Sequence, residues 1–213
     1  QQGIAEWQAL EARLGADFEM RLSGGLVVAS TEQDLEFLER KTALERHNGL
    51  DVEVIGPSRL EELLPVVSAT MVGGTYCRSE GKINPLAAGP AILAAARQAG
   101  VRIAAPCALR ALARKGGVFR ADTGTARIRA GKVVNAAGGW AAGVARLLGE
   151  ELPVRTAPQQ MIVTEPLEPM IPMLVAAAGR HLTLKQVANG NVIIGGGWPA
   201  GFDAQRGRAI NLR

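Results

Sequence analysis

Aromatic residues are scarce in this chain of 213 residues, since Phe, Trp and Tyr together make up only 4%. Proteins that bind single-stranded nucleic acid use aromatic rings as stacking platforms, so this scarcity argues against such a binder. The formal net charge is +4, but the basic residues are scattered. Their densest stretch, 110–132, alternates with apolar residues as a solvated sheet edge does. We therefore expect no nucleic-acid partner.

Several other features are missing. The chain has two cysteines, Cys77 and Cys107, no CxxC pair, and two histidines, His47 and His181. This supply gives no metal-ligand spacing, so no metal site is expected, and both thiols are expected to be free. There is no P-loop, no Ser/His/Asp set and no pair of carboxylates on one helix. No run of 18 apolar residues occurs, which predicts that the chain has no transmembrane segment.

The residues that are present alternate between helical and strand periodicities. Thr31 is a good N-cap, and Ser58 with Glu61 has the spacing of a capping box. Helices are predicted at 4–14, 31–48, 58–64, 85–99 and 140–148. Strands are predicted at 19–29, 52–55, 71–76, 101–104, 107–114, 118–122, 126–129, 132–135, 154–165, 181–186 and 192–196. The pattern predicts an α+β, or mixed α/β, fold.

The most informative stretch is Val133-Val134-Asn135-Ala136-Ala137-Gly138-Gly139-Trp140. An apolar strand pattern runs into small residues, and a helix pattern follows at once. Small residues let the backbone approach a ligand closely, and amides at a helix start face that ligand. The segment resembles the "VVNAAG-x-W" segment of the FAD-dependent amino-acid oxidase and dehydrogenase family (D-amino-acid oxidase, glycine oxidase and sarcosine oxidase β-subunit types).

Other motifs of that family follow in the same order along the chain. They are similar to the family's "G-x-L-x-L-A" strand (23–29), its "GGxYxxxxGxxxP" loop (73–85), its "A-x-x-x-G-V" helix end (95–101) and its "RQ-x-x-x-G" hairpin (184–196). The resemblance implies a part of an FAD-binding domain together with a mixed-sheet substrate domain that has helices packed on it. It implies a connecting helix (1–16), two parts of the substrate domain (17–82 and 150–213) and, between them, the middle part of the FAD-binding domain (83–149).

The resemblance also implies cofactor-binding positions. In the family, the strand after the "G-V" helix end lies against the adenine, which here corresponds to Cys107 and Ala108. Ala136, Ala137 and Gly138 match the close approach to the adenosine and pyrophosphate, and Trp140 matches the aromatic residue that opens the next helix. Packing of a strand against a helix is the alternative reading of these small residues.

Candidate substrate-binding residues lie on the other side of the expected flavin. His181, Thr183 and Lys185 alternate along one strand and so share a face. Thr183 falls near the position of a family Tyr that contacts the substrate. This sequence has no Tyr there, so we expect its recognition of the amino acid to be built differently. Tyr76 in the glycine-rich loop and Gln160 near the flavin complete the set. Three of these residues have a structural alternative: His181 as a structural histidine, Lys185 as a solvated lysine and Tyr76 as an aromatic cover over the core. The sequence identifies no catalytic residue.

A second glycine motif, 192–200, fits the G-x-G-x-x-G/A dinucleotide pattern after a strand. That fingerprint needs a helix next, and Pro199 and Gly201 interrupt the stretch that should be helical. We therefore expect a hairpin strand that ends in a tight glycine turn.

The family's opening dinucleotide fingerprint and its closing segment are not found in this sequence. The chain is therefore expected to be an internal fragment of an enzyme that oxidises the C–N bond of an amino or imino acid by hydride transfer to FAD, with the fragment itself inactive and without retained FAD. The expected partners are a small amino or imino acid and a partner subunit or electron acceptor. The expected location is cytoplasmic, with any membrane association through the acceptor. The alternative is a non-catalytic interaction subunit or domain that kept the fold and lost the cofactor.

Overall fold

The computed structural model describes residues 2–203 and 208–210. Within them the chain forms five α-helices, one short 3-10 helix (Gly138–Trp140) and twelve strands. The helices are α1 Gln2–Leu14, α2 Glu32–His47, α3 Pro57–Leu63, α4 Pro85–Gln98 and α5 Ala141–Arg146. The strands are β1 Gly25–Ala29, β2 Val52–Ile55, β3 Gly73–Cys77, β4 Ala111–Lys115, β5 Val118–Asp122, β6 Arg127–Ala130, β7 Ile162–Pro166, β8 Leu174–Ala177, β9 Thr183–Gln186, β10 Asn191–Gly195, β11 Gly201–Asp203 and β12 Arg208–Ile210.

The chain divides into two compact units. The large unit comprises Gln1–Gly100 and Gln159–Arg213, and the small unit is Val101–Pro158. Residue 1 and residues 204–207 and 211–213, which fall in the first and last predicted domain ranges, lie outside the described residues. The assignment of 83–149 to an FAD-binding domain, and of 17–82 and 150–213 to a substrate domain, stays a prediction.

The large unit is built on a seven-stranded sheet with the order β2-β3-β1-β8-β9-β10-β7. Strands β1 and β8 run parallel, and the other neighbouring pairs are antiparallel. Helices α1 to α4 belong to the same unit as this mixed sheet. The combination of a mixed sheet with helices in the described residues confirms the predicted fold class.

Both faces of the sheet carry apolar clusters. Alternate side chains of β1 divide between them, because successive residues of a strand point to opposite faces. Leu26 and Val28 join the larger cluster with Leu60 of α3 and Val175 of β8. On the other face, Ala29 joins Leu38 of α2 in a smaller cluster. Helices α2 and α3 therefore cover opposite faces of the same strands.

The small unit contains a three-stranded antiparallel sheet of order β4-β5-β6, followed by the 3-10 helix and α5. Leu112 is buried in β4, whereas most side chains of the three strands are exposed or half-buried. None of the helices in residues 2–203 and 208–210 combines the length and hydrophobicity needed to cross a membrane.

The helices follow the predictions closely, with one cap corrected. The Thr31 side chain accepts a hydrogen bond of 3.1 Å from Asp34 N, so the predicted N-cap of α2 is confirmed. The predicted capping box at Ser58 is wrong. Helix α3 begins at Pro57 with Gly56 as the N-cap, because the fixed φ of proline suits the first helical position.

The strands differ more from the prediction. Residues 101–104 and 132–135 form no strand, since no described segment pairs with them and a strand exists only as part of a ladder. The predicted strand 19–29 is confined to β1, because Glu19 and Gly24 have φ of 54° and 87° and interrupt the extended backbone. Strand β8, together with β11 and β12, was missed; β8 is rich in alanine, which disfavours strands.

Candidate functional site

Three consecutive glycines end strand β10 and bring its backbone against the start of β9. Gly195 pairs with Thr183, and a Cβ on Gly195 would lie 3.2 Å from Thr183 Oγ1. Gly196 has φ of 131°, and a Cβ there would lie 2.6 Å from His181 O and overlap the adjoining peptide. No side chain other than hydrogen fits at Gly196. We call residues 181–183 and 195–197 the glycine end of the hairpin.

The glycine run is a strand end and not a dinucleotide fingerprint. No helix follows it in the described residues; β11 begins at Gly201 instead. The expectation drawn from Pro199 and Gly201 is confirmed, because the backbone that would have to cradle a pyrophosphate is committed to packing on the peptide between His181 and Leu182.

The predicted shared face of Thr183 and Lys185 is present in β9. They occupy alternate positions of the strand, and Leu184 between them packs against the larger apolar cluster on the opposite face. His181 precedes the strand, where its Nδ1 lies 3.0 Å from Gly196 O. A carbonyl oxygen can only accept, so Nδ1 carries a hydrogen, and in the neutral ring Nε2 is the nitrogen with the lone pair.

Gln160 lies near the glycine end, whereas Tyr76 lies on a strand away from that face. Gln160 N donates a 3.0 Å hydrogen bond to Trp198 O, which holds residue 160 next to the segment after the glycines. Tyr76 lies in β3, and its ring belongs to the larger apolar cluster, on the side of Leu26 and away from Thr183. Burial in the core gives Tyr76 a packing role; its predicted contact with substrate stays a prediction.

Lys185 faces a cavity of about 320 Å³ at the other end of β9. Arg21 and Lys82 line the same cavity, and Lys82 Nζ donates a 2.6 Å hydrogen bond to Gln186 O. Sequence reasoning missed Arg21 and Lys82. They are distant in sequence and meet only through an isolated antiparallel bridge, for which the sequence carries no periodic signal.

The predicted cofactor-binding residues all lie in the small unit. Cys107, Ala108, Ala136 and Gly138 are exposed, Ala137 is half-buried, and Trp140 is 58% exposed. Asn135 shapes the turn that precedes the 3-10 helix: its Oδ1 accepts from Ala137 N at 3.3 Å, and its Nδ2 donates to Ala141 O at 2.9 Å. Gly138 has φ of 54°, and the space where its Cβ would lie is open. An exposed turn of small residues with an accessible backbone fits the adenosine part of FAD.

Comparison with known proteins settles the family. A family model described as FAD dependent oxidoreductase matches residues 1–211. The chain belongs to this family. It is 29% identical over 208 residues to sarcosine oxidase subunit beta of Arthrobacter, an alignment that covers 94% of this chain and 50% of that protein. Human mitochondrial dimethylglycine dehydrogenase is 27% identical over 163 residues, with 76% of this chain and 19% of that protein covered.

The fold agrees with this assignment. The crystal structure of glycine oxidase from Geobacillus kaustophilus superposes with a TM-score of 0.88 and 23% identity, covering 95% of this chain and 56% of the other. The predicted family, the predicted enzyme class and the predicted cofactor, FAD, are thus confirmed at the level of the family. The chain spans about half the length of the curated sarcosine oxidase subunit that it matches.

Proposed function

We propose that the complete protein oxidises the C–N bond of an amino or imino acid with FAD. The family match over residues 1–211 carries the proposal, because it includes both the small unit and the glycine end. The relatives support the substrate class by their names: sarcosine, dimethylglycine and glycine are all small amino acids, two of them methylated on nitrogen.

The small unit would hold the adenosine part of the cofactor. The backbone at Ala136–Gly138 is open to a ligand, and Cys107 and Ala108 present small exposed side chains beside an irregular segment. FAD, when bound, takes up the hydride that an amine oxidation releases. The protein's own task is then to bind the amino acid, to orient its amine and to accept a proton from it.

We propose His181 as the residue that accepts that proton. The bond between its Nδ1 and Gly196 O fixes the tautomer, which leaves the Nε2 lone pair for a substrate ammonium group. Thr183 is two residues further along and offers a hydroxyl that both donates and accepts. Lys185 lies about 13 Å from His181 along an extended backbone, so a direct contact of both residues with one small substrate is unfavourable.

The first experiment is an absorbance spectrum of the complete protein. Bound flavin gives bands near about 370 and 450 nm, and anaerobic addition of sarcosine, dimethylglycine, glycine or proline should bleach the longer-wavelength band for a substrate. A coloured protein that no amino or imino acid bleaches would contradict the substrate class and leave the cofactor assignment standing.

His181→Asn tests the proton acceptor. Asn can donate to Gly196 O in place of Nδ1 but offers no basic nitrogen, so kcat/KM should fall by about 10²–10⁴ while the flavin spectrum is kept. His47→Asn, an exposed change at the end of α2, is the matched control. An H181N enzyme with wild-type kcat/KM and pH profile would refute this role.

A second candidate is a non-catalytic subunit with the same fold. The relative from Arthrobacter is named as a subunit, which makes a partner chain or a separate electron acceptor reasonable for this protein too. A complete protein that is colourless and binds no FAD would favour this candidate. The cytoplasmic location stays a prediction.

A further inference from the structure

The cavity at the far end of β9 gathers three cationic side chains in the large unit. Arg21, Lys82 and Lys185 all line its volume of about 320 Å³. The cavity lies at the end of the sheet where β1 begins and where β3 and β9 end. The glycine end, with His181, is at the opposite end of β9. We call this cavity the basic cavity.

The backbone brings Arg21 and Lys82 next to each other, in the cavity that Lys185 also lines. Arg21 and Lys82 form an antiparallel bridge in which each amide donates to the other's carbonyl at 2.9 Å, so their side chains emerge side by side. Gly81 permits this approach, because a Cβ there would lie 2.5 Å from Arg21 O. Adjacent like charges across such a bridge are destabilising unless something compensates them.

Nothing in the described part of the chain provides that compensation as an ion pair. No carboxylate lies within 4.0 Å of the Arg21, Lys82 or Lys185 side chains. Burial lowers the pKa of Lys82 from its usual value, and the nearby charges of Lys185 and Arg21 lower it further. An anion in the cavity would offset the repulsion among the three cations and would favour the charged form of Lys82.

One acidic residue, Glu19, also lines the basic cavity. Its Oε1 accepts a 3.1 Å hydrogen bond from Asn84 Nδ2, which ties the carboxylate to the wall. Glu19 has φ of 54°, a left-handed conformation that costs a non-glycine residue free energy and that concentrates at functional sites. With Glu19 counted, the cavity keeps a surplus of two positive charges.

The wall of the cavity is rigid because Gln186 holds two loops together, the β7–β8 connection and the β9–β10 turn. Its Oε1 accepts from Met170 N at 2.8 Å and from Ile171 N at 3.0 Å. Its Nε2 donates to Leu167 O, Glu168 O and Gly190 O at 3.0 to 3.1 Å. On the neighbouring strand end, Ser23 Oγ donates to Pro172 O at 2.8 Å. Binding to such a wall requires little reorganisation.

We infer that the basic cavity is a binding site for a small dianion, either a dicarboxylate or a phosphate monoester. Arg21 would bind two of its oxygens through the guanidinium fork, and Lys82 and Lys185 would contribute point charges. The inference does not depend on the proposed oxidation, because the glycine end and the small unit take no part in it.

The test is calorimetric titration of the complete protein with succinate and with inorganic phosphate at constant ionic strength. Acetate serves as the monoanion and chloride as the nonspecific ion. We expect a saturable heat for a dianion with a Kd of about 1 mM or tighter, and binding at least about tenfold weaker for acetate. A preference for succinate would identify a carboxylate ligand, and a preference for phosphate would identify a phosphate ester.

Substitutions separate this site from general charge effects. Each of the substitutions Arg21→Gln, Lys82→Gln and Lys185→Gln should weaken binding of the dianion about tenfold. Lys115→Gln removes the same charge from an exposed position of β4 and should leave binding unchanged. Glu19→Gln keeps an acceptor for Asn84 but removes the repelling charge, so it should tighten binding, a result that a purely structural cluster would not give.

The inference is overturned if succinate, phosphate and chloride give equal heats, or if the K115Q protein loses as much affinity as the K82Q protein. Thermal unfolding of each variant without anion shows that it is folded, so a loss of binding cannot be a loss of structure. Failure here leaves the flavin spectrum and the amino-acid bleaching untouched, and the two proposals are tested separately.

Discussion

Gly196 is a residue at which the fold tolerates little change. It combines φ of 131° with a Cβ position that overlaps the peptide after His181. Gly196→Ala should lower the free energy of unfolding by about 2–4 kcal/mol, because the strained backbone and the overlap add together. Denaturant unfolding measures the loss.

The matched control is Gly3→Ala in α1, an exposed position where nothing lies within 4 Å of the new methyl group. Alanine in an exposed helix position should stabilise by about 0.5–1 kcal/mol relative to glycine. If both variants shift stability in the same direction, the close approach at Gly196 does not constrain the hairpin as described.

Glu80 gives a prediction about pH. Burial raises the pKa of its carboxyl from the usual 4.5, the charge of Lys41 opposes the rise, and Glu45 adds to it. A carboxyl with a raised folded-state pKa contributes stability that is fully present below the unfolded pKa and is lost as pH rises through the folded pKa. Glu80→Gln should therefore raise the melting temperature near neutral pH and make little difference near about pH 4.

Thermal unfolding of wild type and E80Q across this pH range checks the sign. Glu39→Gln, an exposed change on α2, should alter the melting temperature little at any pH. A stabilisation by E80Q that is the same at both pH values would show that the ionised carboxylate is not penalised.

At the scale of elements, what the sequence can predict depends on whether its signals are local. The cap at Thr31 is encoded within a few residues, and helix α2 begins nearly at the predicted place. Strand β8 has no such signal: its alanines favour a helix over a strand, and pairing with β1 and β9 determines its conformation.

The buried position of β8 can be measured by a pair of valine substitutions. Val175 is 4% exposed within the larger cluster, whereas Val163 of the edge strand β7 is 62% exposed. Val175→Ala should cost about 2 kcal/mol through lost burial and the cavity left behind, and Val163→Ala much less. Equal losses from the two changes, in denaturant unfolding, would place β8 outside the core.

The candidate site was predictable only in part, for the same reason. Alternation along 181–186 placed Thr183 and Lys185 on one face, and small residues marked the exposed turn at 136–138. The neighbours of Lys185 come from distant segments, and no spacing in the sequence joins Arg21 to Lys82 or to β9. The roles of the predicted site residues stay predictions until the variants are measured.

At the scale of the whole molecule, the two compact units should differ in local stability. The large unit has two apolar clusters on its sheet, while β4, β5 and β6 of the small unit are mostly exposed or half-buried. Amide hydrogens of β1 and β8 should exchange at least about tenfold more slowly than those of β5. Mass-spectrometric exchange reads both units in one sample, and equal protection would mean that they open together.

The parallel pairing of β1 with β8 joins segments made far apart in time. Ser23 and Pro172, which meet at this end of the sheet, are separated by 149 residues. At a synthesis rate of about 5–20 residues per second, β1 is made on the order of ten seconds or more before β8. During that interval the edge of β1 that later meets β8 offers unpaired amides and carbonyls to any passing strand. The nascent chain should therefore be most dependent on chaperones before residue 177 leaves the ribosome.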